Sequence, residues 1–108
     1  MNCNQTIICG EIIKLAELRY TPAGVAVIEF GIRHKSHQIE AGMSRQVMCD
    51  ISAIAFEQTA MAIIDIKVGS VVRLTGFLAK KSQMSQQLIL HVNNVVRHLS
   101  ENKGREKS

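Results

Sequence analysis

Aromatic side chains are scarce in this chain. Three Phe and one Tyr make up 4% of its 108 residues, and there is no Trp. Such a chain has few ring faces on which to stack bases. Cysteine is sparse as well: Cys3, Cys9 and Cys49 form no CxxC pair, and three thiols cannot all be bridged. No uninterrupted apolar run approaches the length of a membrane span. Met1 to Gln5 is polar and uncharged, with no apolar stretch before a cleavage site. These absences predict a cytoplasmic protein with reduced thiols and no membrane partner. Catalytic signatures are missing too: there is no P-loop, GxSxG or HExxH, and Glu11, Glu17, Glu29, Asp50 and Asp65 show no pairing pattern. His34, His37 and Cys49 match no zinc spacing, and ordinary loop histidines are the better reading. The sequence predicts a protein that is not an enzyme and needs no cofactor.

What is present is a succession of short Ile- and Val-rich runs, in a chain 46% hydrophobic. That suffices for one core in a single domain of this length. The first run covers 6–20, and Thr21-Pro22-Ala23-Gly24 is a turn, with Pro fixing φ and Gly free to take positive φ. A second strand follows over 25–34, a polar loop over 35–43 and a third strand over 44–51. A fourth covers 71–80, a second polar loop 82–86 and a fifth strand 87–96.

Period-2 alternation sorts the faces. Ala26, Ile28, Phe30 and Ile32 point to the core of strand two, and Val47, Cys49 and Ile51 to that of strand three. Val72, Leu74 and Leu78 do so in strand four, and Leu88, Leu90 and Val92 in strand five. Between strands three and four the period changes to 3.6: Ala53, Phe56, Ala60, Ile63 and Ile64 share one helical face, with Ser52 as the expected cap. Three strands, a short helix and two strands is the order of an all-β OB-fold, a five-stranded, partly open barrel. Gly10 and Gly76 fall mid-strand, where a small barrel bends sharply. The barrel is expected over residues 4–98, and 99–108, charged and without apolar residues to bury after Leu99, reads as a disordered tail.

The chain carries 13 Lys and Arg against 9 Asp and Glu. The distribution says more than the sum. Arg33, His34, Lys35 and His37 crowd the end of strand two and Arg45 the start of strand three. Lys14 and Arg19 line the end of strand one, while Lys80 and Lys81 open the loop between strands four and five. In an OB barrel these places surround one groove, an arrangement that suits phosphate contacts and makes single-stranded nucleic acid the expected ligand. Met48 is the one large apolar side chain on the outward parity of strand three. Phe77 also points outward, where a dimer interface or helix packing is at least as good a reading as a ligand site. Ile7 and Ile13 lie outward on strand one beside Cys9, which predicts a two-fold dimer through that strand.

The run from Arg33 to Gln46 (RHKSHQIEAGMSRQ) is similar to the strand-two to strand-three signature of the primosomal replication protein N (PriB) family. That family consists of OB-folds related to bacterial single-stranded DNA-binding protein. Tyr20 to Gly24, Val68 to Val71 and Gly76 to Leu78 match it in order and spacing, so the resemblance spans residues 4–98. It implies a homodimer that binds single-stranded DNA and stabilises the PriA helicase during replication restart, with DnaT as a further partner. It also carries the DNA groove to Lys14, Lys35, Met43, Arg45, Met48, Lys80 and Lys81. Some members have aromatic residues where this chain has Met43 and Met48, and a longer, more lysine-rich loop after the position of Lys81. Weaker base stacking is therefore implied here. Two other readings share the charge pattern. One is an RNA-binding OB module, though a cold-shock type would show clustered surface aromatics where this chain has only Phe30. The other is a protein-binding adaptor.

Overall fold

The computed structural model describes residues 1–98, so the tail expected over 99–108 lies outside the described residues. Seven elements follow one another: β1 (Thr6–Leu15), β2 (Arg19–Tyr20), β3 (Ala26–Glu40), β4 (Met43–Phe56), α1 (Glu57–Ile64), β5 (Val71–Lys80) and β6 (Leu88–Arg97). The strand order is β1-β5-β6-β4-β3-β2, and a further β1–β3 pairing closes five of the strands into a barrel. Every ladder is antiparallel except the short β4–β6 contact, where Ala53, Ile54 and Ala55 face Leu90, His91 and Val92. The architecture is the OB-type barrel the sequence predicts, with one helix between β4 and β5.

Inside it, Ile12, Ile28, Phe30, Ile32, Val72, Leu74, Leu90 and Val92 form one cluster with Ala53 and Ala55. Ala60 and Ile63 of α1, followed by Ile66, join that cluster as the helix packs against β3, β4 and β6. The two mid-strand glycines are needed for closure. A Cβ on Gly10 would stand 2.9 Å from the Arg33 carbonyl oxygen, and one on Gly76 would collide with the His91 carbonyl, next to the β5 bulge at Thr75/Gly76.

Four local expectations are corrected. The segment over 35–43 is not a loop: β3 runs to Glu40, β4 starts at Met43, and Ala41 and Gly42, both at positive φ, make a two-residue turn. Second, the first run divides, with β1 ending at Leu15 and a two-residue β2 pairing Ala26 and Val27. Val27, on the outward parity, is buried there, flanked in register by Arg19 and Phe56. Third, Ser52 caps no helix. Residues 52–56 remain in the ladder with β3, and α1 starts at Glu57 after Phe56, without a side-chain cap. Finally, Cys49, Leu78 and Leu88 have core parity yet are exposed, and Val47 is only half-buried. All four lie past the last rungs that tie their strands to β1 or across β4–β6. Among the described residues, no β1 or β4–β6 pairing continues to those positions.

Candidate nucleic-acid interface

Beyond the barrel, β3 and β4 continue as a two-stranded arm whose rungs run from His34–Cys49 to Glu40–Met43. Partners opposite one another in an antiparallel ladder share a face. Lys14 (β1), Gly31 (β3) and Ser52 (β4) therefore form one outward row, Glu11, Arg33 and Asp50 the next, and Lys35 and Met48 a third. From the far side Lys81 reaches the first row: it lines a groove of about 340 Å³ with Lys14, Glu29, Phe30 and Ser52. Its backbone N–H donates to the Gln87 carbonyl at 2.9 Å, closing the β5–β6 loop that carries it. A second cavity, lined by Cys9, Glu11, Arg33 and Lys35, adjoins the middle rows.

Of the seven predicted site residues, Lys14, Lys35, Met48 and Lys81 share this outward strip. Met48 is 62% exposed. Met43 and Arg45 are also exposed, but their rungs, Glu40–Met43 and Gln38–Arg45, belong to the opposite face of the arm. Lys80 opposes Leu88 on the other parity of β5 and does not line the groove. Alternation within 44–51 already sets Arg45 on the parity of Val47 and Cys49, opposite Met48, and extended to 43 it sets Met43 there too. The resemblance, which carries no parity, groups them with Met48.

The arginines differ from the lysines. Arg33 donates Nε–H to Asp50 Oδ1 at 2.9 Å and an Nη2 hydrogen to Asp50 Oδ2 at 3.0 Å. Arg19 pairs with Glu29 at 2.9 Å and Arg45 with Glu40 at 3.0 Å. Among the described residues, Lys14, Lys35 and Lys81 make no ion pair, so the strip's available cations are lysines. The hydrogen bond to Asp50 holds the Arg33 guanidinium above its ordinary pKa. The same bond holds the Asp50 carboxyl below the usual carboxylate range, against a smaller opposing desolvation.

His34 is a strand residue, not a loop one. Its Nδ1 lies 2.7 Å from the Cys9 carbonyl and its Nε2 2.8 Å from Ser36 Oγ. A carbonyl only accepts, so Nδ1 carries the proton. His37 points to the opposite face from His34 and Cys49, so the three do not converge on a metal. Phe77 stands outward as expected, stacked on His91 at a centroid distance of 5.0 Å, and Phe56 stacks on that ring at 5.9 Å. No sequence spacing signals this three-ring stack, because the β5 bulge sets its register.

A family profile described as another single-strand binding protein family matches residues 4–94. The replication restart protein PriB of Nitrosomonas europaea is 50% identical over 94 residues, 87% of each chain. The chain belongs to the PriB family. The PriB of Bordetella pertussis is 30% identical over 103 residues, 95% of each chain. The solved structure of PriB from Ralstonia solanacearum superposes with a TM-score of 0.81 at 28% identity, covering 88% of this chain and 97% of that one. A single-stranded DNA-binding protein from Thermus aquaticus has the same barrel, with a TM-score of 0.70 at 16% identity over 87% of this chain and 49% of its own. The PriB fold and the single-strand-binding barrel are thus one architecture.

Proposed function

We propose that this protein binds single-stranded DNA along the outward strip of β1, β3 and β4 and serves in replication restart. The observation that carries the reading is the convergence of three lysines from separate elements, Lys14, Lys35 and Lys81, on one face with Met48. None of the three has a carboxylate partner among the described residues. Lysines of this kind release counterions on meeting phosphates, and Met48 offers a polarizable contact to a base. Relatives named for replication restart support the cellular role. In this reading the protein works as a binding partner, steadying the PriA helicase on DNA as a homodimer, with DnaT as a further partner. An oligo-dT titration at several salt concentrations tests the DNA site. Each lysine removed should flatten the salt slope by about 0.7, so the triple Lys14→Ala, Lys35→Ala, Lys81→Ala variant should lose about two from it. Unchanged affinity and slope in the folded triple variant would place DNA elsewhere. For the helicase, the protein should increase PriA unwinding of a forked duplex, and no effect would rule that role out.

A further inference from the structure

The three rows of the strip carry unlike charge. The first holds Lys14 and the third Lys35, but between them lies Glu11–Arg33–Asp50, with a net charge of one negative. Residues two apart on a strand are about 6.6–6.8 Å apart. A phosphate backbone passing from Lys14 to Lys35 must therefore cross that row. Its one cation is engaged: both Asp50 oxygens accept from Arg33, along the guanidinium edge that would grip a phosphate in the same bidentate way. The pair is on the surface, with side chains 44% and 53% exposed, so a strand lying on the face can reach it.

Resting on the DNA-binding reading, we propose that Asp50 masks Arg33 and limits affinity for single-stranded DNA, so that Arg33 is a phosphate-binding residue held in reserve. The carboxylate imitates the ligand, and phosphate must displace it before the guanidinium contributes. Asp50 is thus an affinity-setting residue in the strip, and any change that draws it away adds a cation at the centre of the DNA path. Glu11 faces Arg33 from β1 without a hydrogen bond to it and restrains it more weakly.

The Asp50→Asn variant keeps the size and removes the charge. It should bind oligo-dT about fivefold more tightly, in keeping with release of an exposed ion pair, and its salt slope should steepen by about 0.7 as one more phosphate is neutralised. Asp50→Ser serves as a second variant should the first prove unstable. Adding Arg33→Ala to Asp50→Asn should abolish the gain. A gain that persists without Arg33 would reflect net charge alone and overturn the proposal. So would a wild type that binds together with an Asp50→Asn protein of identical affinity and slope, which leaves the DNA-binding reading standing. If neither protein binds oligo-dT, both readings fall. A tight Asp50→Asn protein beside a wild type that does not bind would support the mask in its strongest form.

Discussion

Two neighbouring side chains show what single residues contribute. Met48 points outward from the arm opposite Lys35. A thioether contact to a ring is worth about 0.3–1.5 kcal/mol, and a base stacked on an aromatic side chain about 1–3 kcal/mol. Met48→Trp should therefore fold normally, tighten DNA binding and report it by a change in Trp fluorescence. A folded variant with unchanged affinity and fluorescence would exclude Met48 from the path. The second is Asp50, whose folded-state pKa lies below its ordinary value. Its ion pair favours the folded state above the unfolded carboxyl value of about 3.9 and loses that effect as pH falls through the folded value. In an NMR titration, Arg33→Ala should move the Asp50 carboxyl upward toward 3.9; an unmoved titration would mean the hydrogen bond is not the cause. The sequence revealed the cations of this site but not their pairing. Arg33 and Asp50 are 17 positions apart, and only the register of β3 on β4 sets them face to face.

At the scale of elements, alternation was the dependable signal, and it failed where geometry other than parity decides. Ala26, Ile28, Phe30 and Ile32 are buried as their spacing requires. Leu88 has the same parity as Leu90 and is exposed, because parity says which way a side chain points and nothing about where the barrel wall ends. Lys35 to Met43 looked like a loop because a two-stranded arm free on both faces can be polar throughout, which removes the contrast that marks a half-buried strand. Ser52 looked like a helix cap because Ala53 and Phe56 stand three apart, a helical spacing. In the ladder they point to opposite faces, and fourteen rungs of pairing with β3 outweigh a local preference. Closure itself depends on Gly76, where β5 bulges against the β6 backbone. Gly76→Ala must push β6 aside and should destabilise the protein by about 1–3 kcal/mol or more. Thermal unfolding measures the cost, and a melting temperature equal to wild type would show that the strands separate there freely.

For the whole molecule, the open question is how the barrel completes its exposed edge. Residues Thr6 to Gly10 pair with β5 on one side, while pairing with β3 begins only at Glu11. Apart from the His34 ring on the Cys9 carbonyl and the close approach of Gly10 to Arg33, no strand pairs with the other edge of that segment among the described residues. A bare edge carrying an exposed apolar side chain invites pairing with another chain. Ile7, 53% exposed, supplies that side chain. Joining the same edge of two copies gives an isologous, self-limiting contact, so the protein is expected to sediment at micromolar concentration as a dimer of the 12.0 kDa chain. Ile7 lines neither cavity of the strip, and Ile7→Asn leaves every charge in place. That variant should be monomeric, and its affinity for an oligonucleotide spanning one barrel should equal that of wild type. On an oligonucleotide long enough to span two barrels, wild type gains from linking the two sites, commonly by about 10²-fold or more, and the monomer should lose that gain. A wild type that sediments as a monomer would remove the dimer. An Ile7→Asn monomer that keeps wild-type affinity on the long strand would show instead that each barrel binds DNA independently.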